Sequence, residues 1–412
     1  KVDAVHVGGD RMFRSALAGE LDALDAAPVL MVKAAVSVQG SGRTLGGVQV
    51  LGVDKRFWKL SPGGKKTDPP REREVFVNRH LARSLDFGEN ATLVLRFGKP
   101  SLVADDAPLA GKAAGLITLS GSVRTICGAK RFGRFSLEST QLPQATVFMP
   151  IERLQEAVGF EGRANLMLLH AGKHHGRDEM PEMIRRKATL ADYGLTLADV
   201  PLAGAVEVRT SRIFFDREVA SVIRKRFPAA QPVITYMANT IAANGRETPY
   251  SMVTAVDAGA APFPTNPSGG VVLNSWQADD LGAKAGDEVR IDYYALDAGN
   301  RLVERSAKFP VAGVVPLTGL AADPLWMPDF PGVAEAESAA DWDAGVPIDM
   351  KRIRDKDEAY WDAHRGTPKL FLPLEKGREL FGNRWGEFTA LRIPGGVATK
   401  AEVEKQLLDG MT

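Results

Sequence analysis

The feature that most constrains this chain is that its sequence is written twice: four blocks of the first half return, in the same order, in the second. Such self-similarity confines the fold to a tandem of like-built units, because each copy carries the same apolar pattern and must bury it in the same way. The strongest pair runs from Val75-Phe76-Val77-Asn78 to Leu95 and, without a gap, from Val271-Val272-Leu273-Asn274 to Ile291. Each reads as a strand, an asparagine N-cap, a two-turn helix ending at Leu85 or Leu281, a turn and a second strand. In that second strand Val289, Ile291 and Tyr293 alternate with Arg290 and Asp292, the period of a half-buried strand.

Three further pairs flank it. Val5 to Phe13 matches Glu207 to Phe214: a short strand runs into Asp10 or Ser211, each placed to cap a helix. The helical spacing then predicts a buried stripe of Phe13, Leu17, Leu21 and Leu24 in the first copy and Phe215, Val219, Val222 and Ile223 in the second. Strands Pro28-Val29-Leu30 and Pro232-Val233-Ile234 follow. Val50 to Asp54 and Met252 to Asp257 each end a strand on a turn-forming aspartate. Finally, Val147-Phe148-Met149-Pro150-Ile151-Glu152 matches Leu370-Phe371-Leu372-Pro373-Leu374-Glu375, where proline with an acid two residues on suits a helix start. Gly159 and Gly382 stand near the far ends of those helices.

The predicted class is therefore α+β, with two related mixed α/β lobes from an internal duplication. The first repeat spans residues 1–168, a linker 169–194 and the second repeat 195–396; a polar C-terminal helix in 397–412 projects from the body and leads towards a membrane. Whether the lobes are separate or exchange strands is left open. Gly, Pro and charge mark residues 61–74, 257–270 and 320–347 as surface loops, and residues 183–188 as a basic helical piece within the connection.

Composition excludes several classes. With 52 basic and 51 acidic residues the net charge is +1, which gives no general pull towards nucleic acid. The single cysteine, Cys127, rules out an intramolecular disulfide and a multi-cysteine metal site, and its apolar neighbours Val123 and Ile126 predict a buried thiol. No run approaches the roughly 20 apolar residues of a membrane span. Opening on Lys1-Val2-Asp3, the chain reads as a segment excised from a longer protein.

The order of these blocks resembles the large extracytoplasmic loop of MacB/FtsX-type ABC-transporter permeases. The resemblance is carried by residues 48–58 (VQVLGVDKRFW), 74–85 (EVFVNRHLARSL), 146–158 (TVFMPIERLQEAV) and 311–317 (VAGVVPL), and residues 360–393 look like the long-loop bacterial permeases of this type. It implies a MacB-periplasmic-domain-like fold and a non-catalytic module on the extracytoplasmic (periplasmic) face of a bacterial membrane, in a membrane-anchored parent. It also implies a separate ABC ATPase subunit or domain as partner through the membrane part, and a lipoprotein, lipid or peptide cargo or an envelope protein. Smaller members carry one such unit; here there are two, with long insertions. Residues 278–291 (ADDLGAKAGDEVRI) are also similar to a unit of double-psi β-barrels, as a local strand–turn arrangement.

Candidate chemistry is sparse. His170, His174, His175 and Asp178 form the one histidine cluster, and His170 and His174 at a spacing of four suit metal ligands on a helix. Gly172 and Gly176 interrupt the segment, so it reads as a solvated loop. A metal-dependent periplasmic hydrolase using His170, His174 and His175 is the alternative function, and a free-standing periplasmic adaptor a third. Asp54, Asp86, Asp257 and Asp287 fall at turns, a structural role. No Gly-x-Ser-x-Gly, dinucleotide or P-loop pattern occurs. No catalytic, cofactor-binding or metal residue is thus assigned, and no cofactor. Trp326, Phe330, Trp342, Tyr360, Trp361 and Trp385 crowd the last hundred residues, as packing under loops or as a partner surface.

Overall fold

The computed structural model describes all residues except 1–2, 7–10, 22–23, 63–66, 101–114, 138–142, 171–176, 258–269, 298, 300, 331, 335, 344 and 412. The described residues form two compact units that meet in sequence at Gly194 and Leu195.

In the first unit the elements are β1 (Asp3–His6), β2 (Phe13–Arg14), α1 (Leu17–Glu20), β3 (Asp25–Val38), β4 (Thr44–Val53), α2 (Lys55–Lys59), β5 (Glu74–Asn78), α3 (Arg79–Leu85), β6 (Thr92–Gly98), β7 (Leu116–Cys127), β8 (Thr146–Pro150), α4 (Ile151–Val158), β9 (Arg163–Ala164), β10 (Leu166–His170) and α5 (Met180–Lys187). The main sheet runs β1-β10-β3-β4-β8-β5-β7-β6, and β6 also pairs with the far half of β3, from Ala35↔Arg96 to Val38↔Leu93. Six strands, β3 to β6 in that order, therefore close into a ring, which removes the edges an open sheet would expose. Strand β3 is long enough to be buried on both faces. Leu30, Val32, Ala34 and Val36 join one core with α3 and α4, while Ala27 and Val29 join another under Phe57 and Trp58 of α2.

The second unit holds β11 (Leu195–Val200), β12 (Ala205–Thr210), α6 (Arg217–Arg226), β13 (Gln231–Ala243), β14 (Arg246–Val256), β15 (Val271–Asn274), α7 (Ser275–Leu281), β16 (Glu288–Leu296), β17 (Leu302–Val315), α8 (Asp355–His364), β18 (Leu370–Pro373), α9 (Leu374–Phe381), β19 (Ala390–Pro394) and α10 (Lys400–Gly410). Its sheet runs β11-β12-β19-β13-β14-β18-β15-β17-β16, with β16 closing onto β13. Leaving out β11, the order is that of the first unit. Register agrees as well. Phe76 pairs with Phe148 and Val77 with Val147; Val272 pairs with Phe371 and Leu273 with Leu370. An irregularity falls at Val75/Phe76 in one parallel pair and at Val271/Val272 in the other. All the strands of each sheet come from its own half, so among the described residues no strand is exchanged.

Local causes repeat too. Asn78 and Asn274 are fully buried N-caps, accepting from the amides of Leu81 at 3.0 Å and Gln277 at 2.8 Å. Their side-chain amides donate onward to the chain just before the next central strand, to Gln144 O at 2.7 Å and Pro368 O at 3.0 Å. One residue thus starts a helix and ties down a neighbouring strand. At the α4/β4 contact Gly52 lies so close to Leu154 that an added Cβ would sit 3.1 Å from its Cδ2; at the α9/β14 contact Ala255 faces Gly377, where an added Cβ would come to 2.2 Å. The same gap is filled with the large and small partners exchanged, as close packing requires.

Several expectations change. Phe13, Leu17, Leu21 and Leu24 are all buried, but only one helical turn forms there, because Phe13–Arg14 pairs as a strand with Arg163–Ala164. Ser211 does not cap a helix: Ile213, Phe214 and Phe215 turn into the core first, with Ile213 left-handed at φ 66°, and α6 starts after Asp216. Residues 320–347 are not a surface loop. Short turns there bury Ala321, Trp326, Phe330, Val333, Trp342 and Val346. The basic helical piece read at residues 183–188 falls within α5 and its C-cap Ala188, and Met180 of that helix packs with Phe13, Leu17 and Met167. Helix α10 does not project: Val403 and Leu407 are fully buried, and Arg226 of α6 donates to Gln406 O at 3.2 Å.

Candidate functional site

A set of buried and half-buried ionisable groups lies in the second unit, where α8 and the segment before β18 meet α7. Lys369 is 4% exposed. Its Nζ stands 4.3 Å from the centre of the Trp276 ring, 4.7 Å from that of Tyr360 and 3.6 Å from Asp357 Oδ1. Burial pushes its pKa down to about 8 against the pull of Asp357. Asp357 is held by Arg354 through two bonds, Nε to Oδ2 at 2.6 Å and Nη2 to Oδ1 at 2.7 Å, the paired geometry that guanidinium and carboxylate favour. Arg354 also reaches Asp280 Oδ2 at 2.8 Å, Lys356 contacts Asp280 Oδ1, and Thr248 donates to Asp280 at 2.5 Å. Burial opposes the charge on Asp280, yet these hydrogen bonds outweigh it and hold the carboxyl below the usual range. Tyr360 accepts from Asn274 at 2.9 Å and donates to Thr367 O at 3.2 Å; burial raises its pKa.

An amine with a pKa near 8 beside a carboxylate is a chemical opportunity. The space decides against using it. The cavity that Lys369 shares with Tyr250, Trp342, Asp357, Tyr360 and Trp361 measures about 20 Å³, enough for about one water. What the arrangement does is fasten α8 and its preceding turns to α7 and β14, with Arg354, Lys356 and Lys369 sharing the carboxylates of Asp280 and Asp357. A larger groove, of about 510 Å³, opens between α6 and the turn before β19, lined by Arg217, Arg224, Lys225 and Phe388. Glu387 in its wall is engaged by Arg378 at 2.7 Å.

The histidine cluster is only partly described. His170 ends β10, half-buried, and Asp178 is exposed; His174 and His175 lie outside the described residues. Among the described residues no three His, Cys, Asp or Glu side chains are grouped to hold a metal. The turn aspartates stand apart. Asp54 caps α2, accepting from the amides of Arg56 at 2.8 Å and Phe57 at 3.4 Å; Asp86 ends α3; Asp287 accepts from the amide of Lys284 at 3.0 Å; Asp257 is exposed. Cys127 is 1% exposed, and burial pushes its thiol up to about 12.

No family model and no curated protein matches this sequence. Solved structures do. The chain is similar to extracytoplasmic transporter domains. It matches the periplasmic region of MacB from Actinobacillus actinomycetemcomitans at 8% identity and a TM-score of 0.29, over 45% of this chain and 80% of that one. It matches the extracellular domain of the noncanonic ABC-type transporter YknZ from Gram-positive bacteria at 11% and 0.26, over 45% and 91%. A permease-protein domain from Porphyromonas gingivalis matches at 14% and 0.26, over 45% and 72%.

Sequence reasoning missed the Lys369 cluster. Its members come from residues 248–369, and nothing in their spacing announces that they converge. Of the crowded aromatics, Trp326, Phe330, Trp342, Tyr360 and Trp361 are buried and Trp385 is half-buried, so they pack the insertion after β17 rather than present a surface. Trp326 lies 6.0 Å from Phe371, much as Trp58 of α2 lies 5.3 Å from Phe148 at the matching register. The insertion supplies in one unit the aromatic lid that α2 supplies in the other.

Proposed function

We propose that this chain is the non-catalytic extracytoplasmic part of an ABC-transporter permease of the MacB/FtsX type, arisen by internal duplication. The single observation that carries the reading is one strand order, with one set of registers, in both halves of a chain whose motifs come in the permease-loop order. The close-packed core of the Lys369 cluster supports a module that binds or transmits movement over one that turns over a substrate. In this reading a cytoplasmic ATPase drives the adjoining membrane helices, the two units change their arrangement, and a lipoprotein, lipid, peptide or envelope partner is moved or signalled to.

The test uses the full gene product in intact cells. Leu202 is 58% exposed and Cys127 is buried, so Leu202→Cys provides a reactive thiol over a silent background. Membrane-impermeant maleimide is expected to label that variant in whole cells, and an ATPase subunit or domain to co-purify with it. Labelling seen only after lysis would sink the proposal.

A further inference from the structure

One surface of the first unit stands apart from the groups described above, although its two phenylalanines pack against the core that holds Phe57 and Trp58. The turn after β7 exposes Lys130, Arg131 and Arg134, holds Phe132 and Phe135 half-buried, and leaves Leu137 39% exposed. Phe132 sits at φ 55°, a left-handed conformation rare for so bulky a side chain. Its ring is held there by Phe57 at 4.7 Å and Phe135 at 5.6 Å. Through Phe57 the turn abuts α2, whose Lys55 and Lys59, one turn apart, face solvent. Arg79, at the start of α3, is exposed and brings its guanidinium beside Gly128.

Six exposed cations thus lie on this turn and on the two elements that touch it, beside the exposed Leu137. None of the six makes an ion pair among the described residues, and the nearby carboxylate of Asp54 is engaged by Arg56 at 2.7 Å. On a chain whose net charge is +1, this is a local concentration. At the matching place in the second unit, after β17, the chain runs instead into the insertion that buries Trp326 on Phe371.

We propose that this turn docks the chain on an anionic phospholipid surface, with the exposed Leu137, backed by the half-buried Phe132 and Phe135, reaching the headgroup region and the six cations meeting lipid phosphates. Aromatic and aliphatic side chains at one level, ringed by lysine and arginine, are the arrangement of interfacial anchors. Each cation near such a surface adds an attraction that salt screens. A peptide adding to the sheet as a strand would need a free edge. Strand β7 offers no such edge, because β5 and β6 pair with it on either side. The inference is independent of the permease reading, since an adaptor with this tip would dock on the same surface.

The test is co-sedimentation of this chain with mixed phosphatidylglycerol–phosphatidylcholine vesicles, against pure phosphatidylcholine. The expected result is salt-sensitive binding to the anionic vesicles alone. The triple variant Lys130→Glu, Arg131→Glu, Arg134→Glu should weaken it by at least about tenfold. Leu137→Asp should weaken it several-fold, and Arg224→Glu with Lys225→Glu in the other unit should leave it unchanged, all melting as the parent does. Failure to bind anionic vesicles, an unaffected triple variant, an equal loss in the second-unit control, or binding to polyglutamate in place of vesicles would each overturn the proposal.

Discussion

At the scale of single residues, two kinds of buried polar group behave oppositely. Asn78 and Asn274 are neutral and bond both a helix start and the approach to a strand, so removing either takes away both sets of hydrogen bonds. Asn78→Ala and Asn274→Ala should each cost about 2 kcal/mol in denaturant unfolding, since each also loses a second tie, Asn78 to Thr146 N and Asn274 to Tyr360 Oη. Lys369 is charged and desolvated. Folding lowers its pKa from the ordinary lysine value of 10.5 to about 8, so between those values the unfolded chain holds the extra proton and stability rises with pH. Below pH 8 the buried charge costs about 3 kcal/mol. Lys369→Met keeps the packing between Trp276 and Tyr360 and leaves Asp357 its Arg354 pair. It should be more stable than the parent at pH 7, with the gap closing as pH rises from 8 to 10.5; a gap that widened would refute this account of the lysine. Neither role could be assigned in full from sequence. Asparagine before a helical pattern announces a cap, whereas nothing about a lysine between Pro368 and Leu370 announces that two aromatic rings enclose it.

At the scale of elements, the helices that follow β8 and β18 occupy one place with exchanged contacts, Gly52 against Leu154 and Ala255 against Gly377. Gly377→Leu alone drives a side chain into Ala255 and should cost several kcal/mol, beyond the usual 1–3 kcal/mol of overpacking. Adding Ala255→Gly recreates the first unit's pairing and should recover a large part of the loss, a coupling that a double-mutant cycle in urea would measure. Additive losses would mean that the two contacts are not equivalent. The insertion between β17 and β18 hangs on its aromatics. Trp326→Ala should cost about 3–5 kcal/mol and open residues 316–369 to limited proteolysis before the sheet melts. That segment read as a loop because its turns are short and aperiodic. Its burial comes from scattered single aromatics, a pattern without a period to detect. The terminal helix misled in the same way: two apolar residues, Val403 and Leu407, suffice to seat it.

At the scale of the whole molecule, each closed sheet draws its strands from one half of the chain. The fragments 1–194 and 195–412 should therefore each fold, giving cooperative melts and near-ultraviolet circular dichroism of their own; a fragment that stays unfolded alone would show that it depends on the other. By itself the sequence determined that there are two like-built units, where the capped helices of the strongest repeat begin, that Cys127 is buried, and which alternating strands line the core. Those properties follow from local periodicity and capping chemistry, which act over a few residues and leave a readable mark. Only the tertiary structure decided that each sheet closes on itself, that an insertion replaces α2 as aromatic lid, and that three cations from the start of α8 and the approach to β18 share the carboxylates of Asp280 and Asp357. Ring closure depends on long strands meeting a distant partner, and charge pairing inside a protein depends on which side chains are excluded from water together. Both are set by the arrangement of the finished fold, and no short stretch of chain records them.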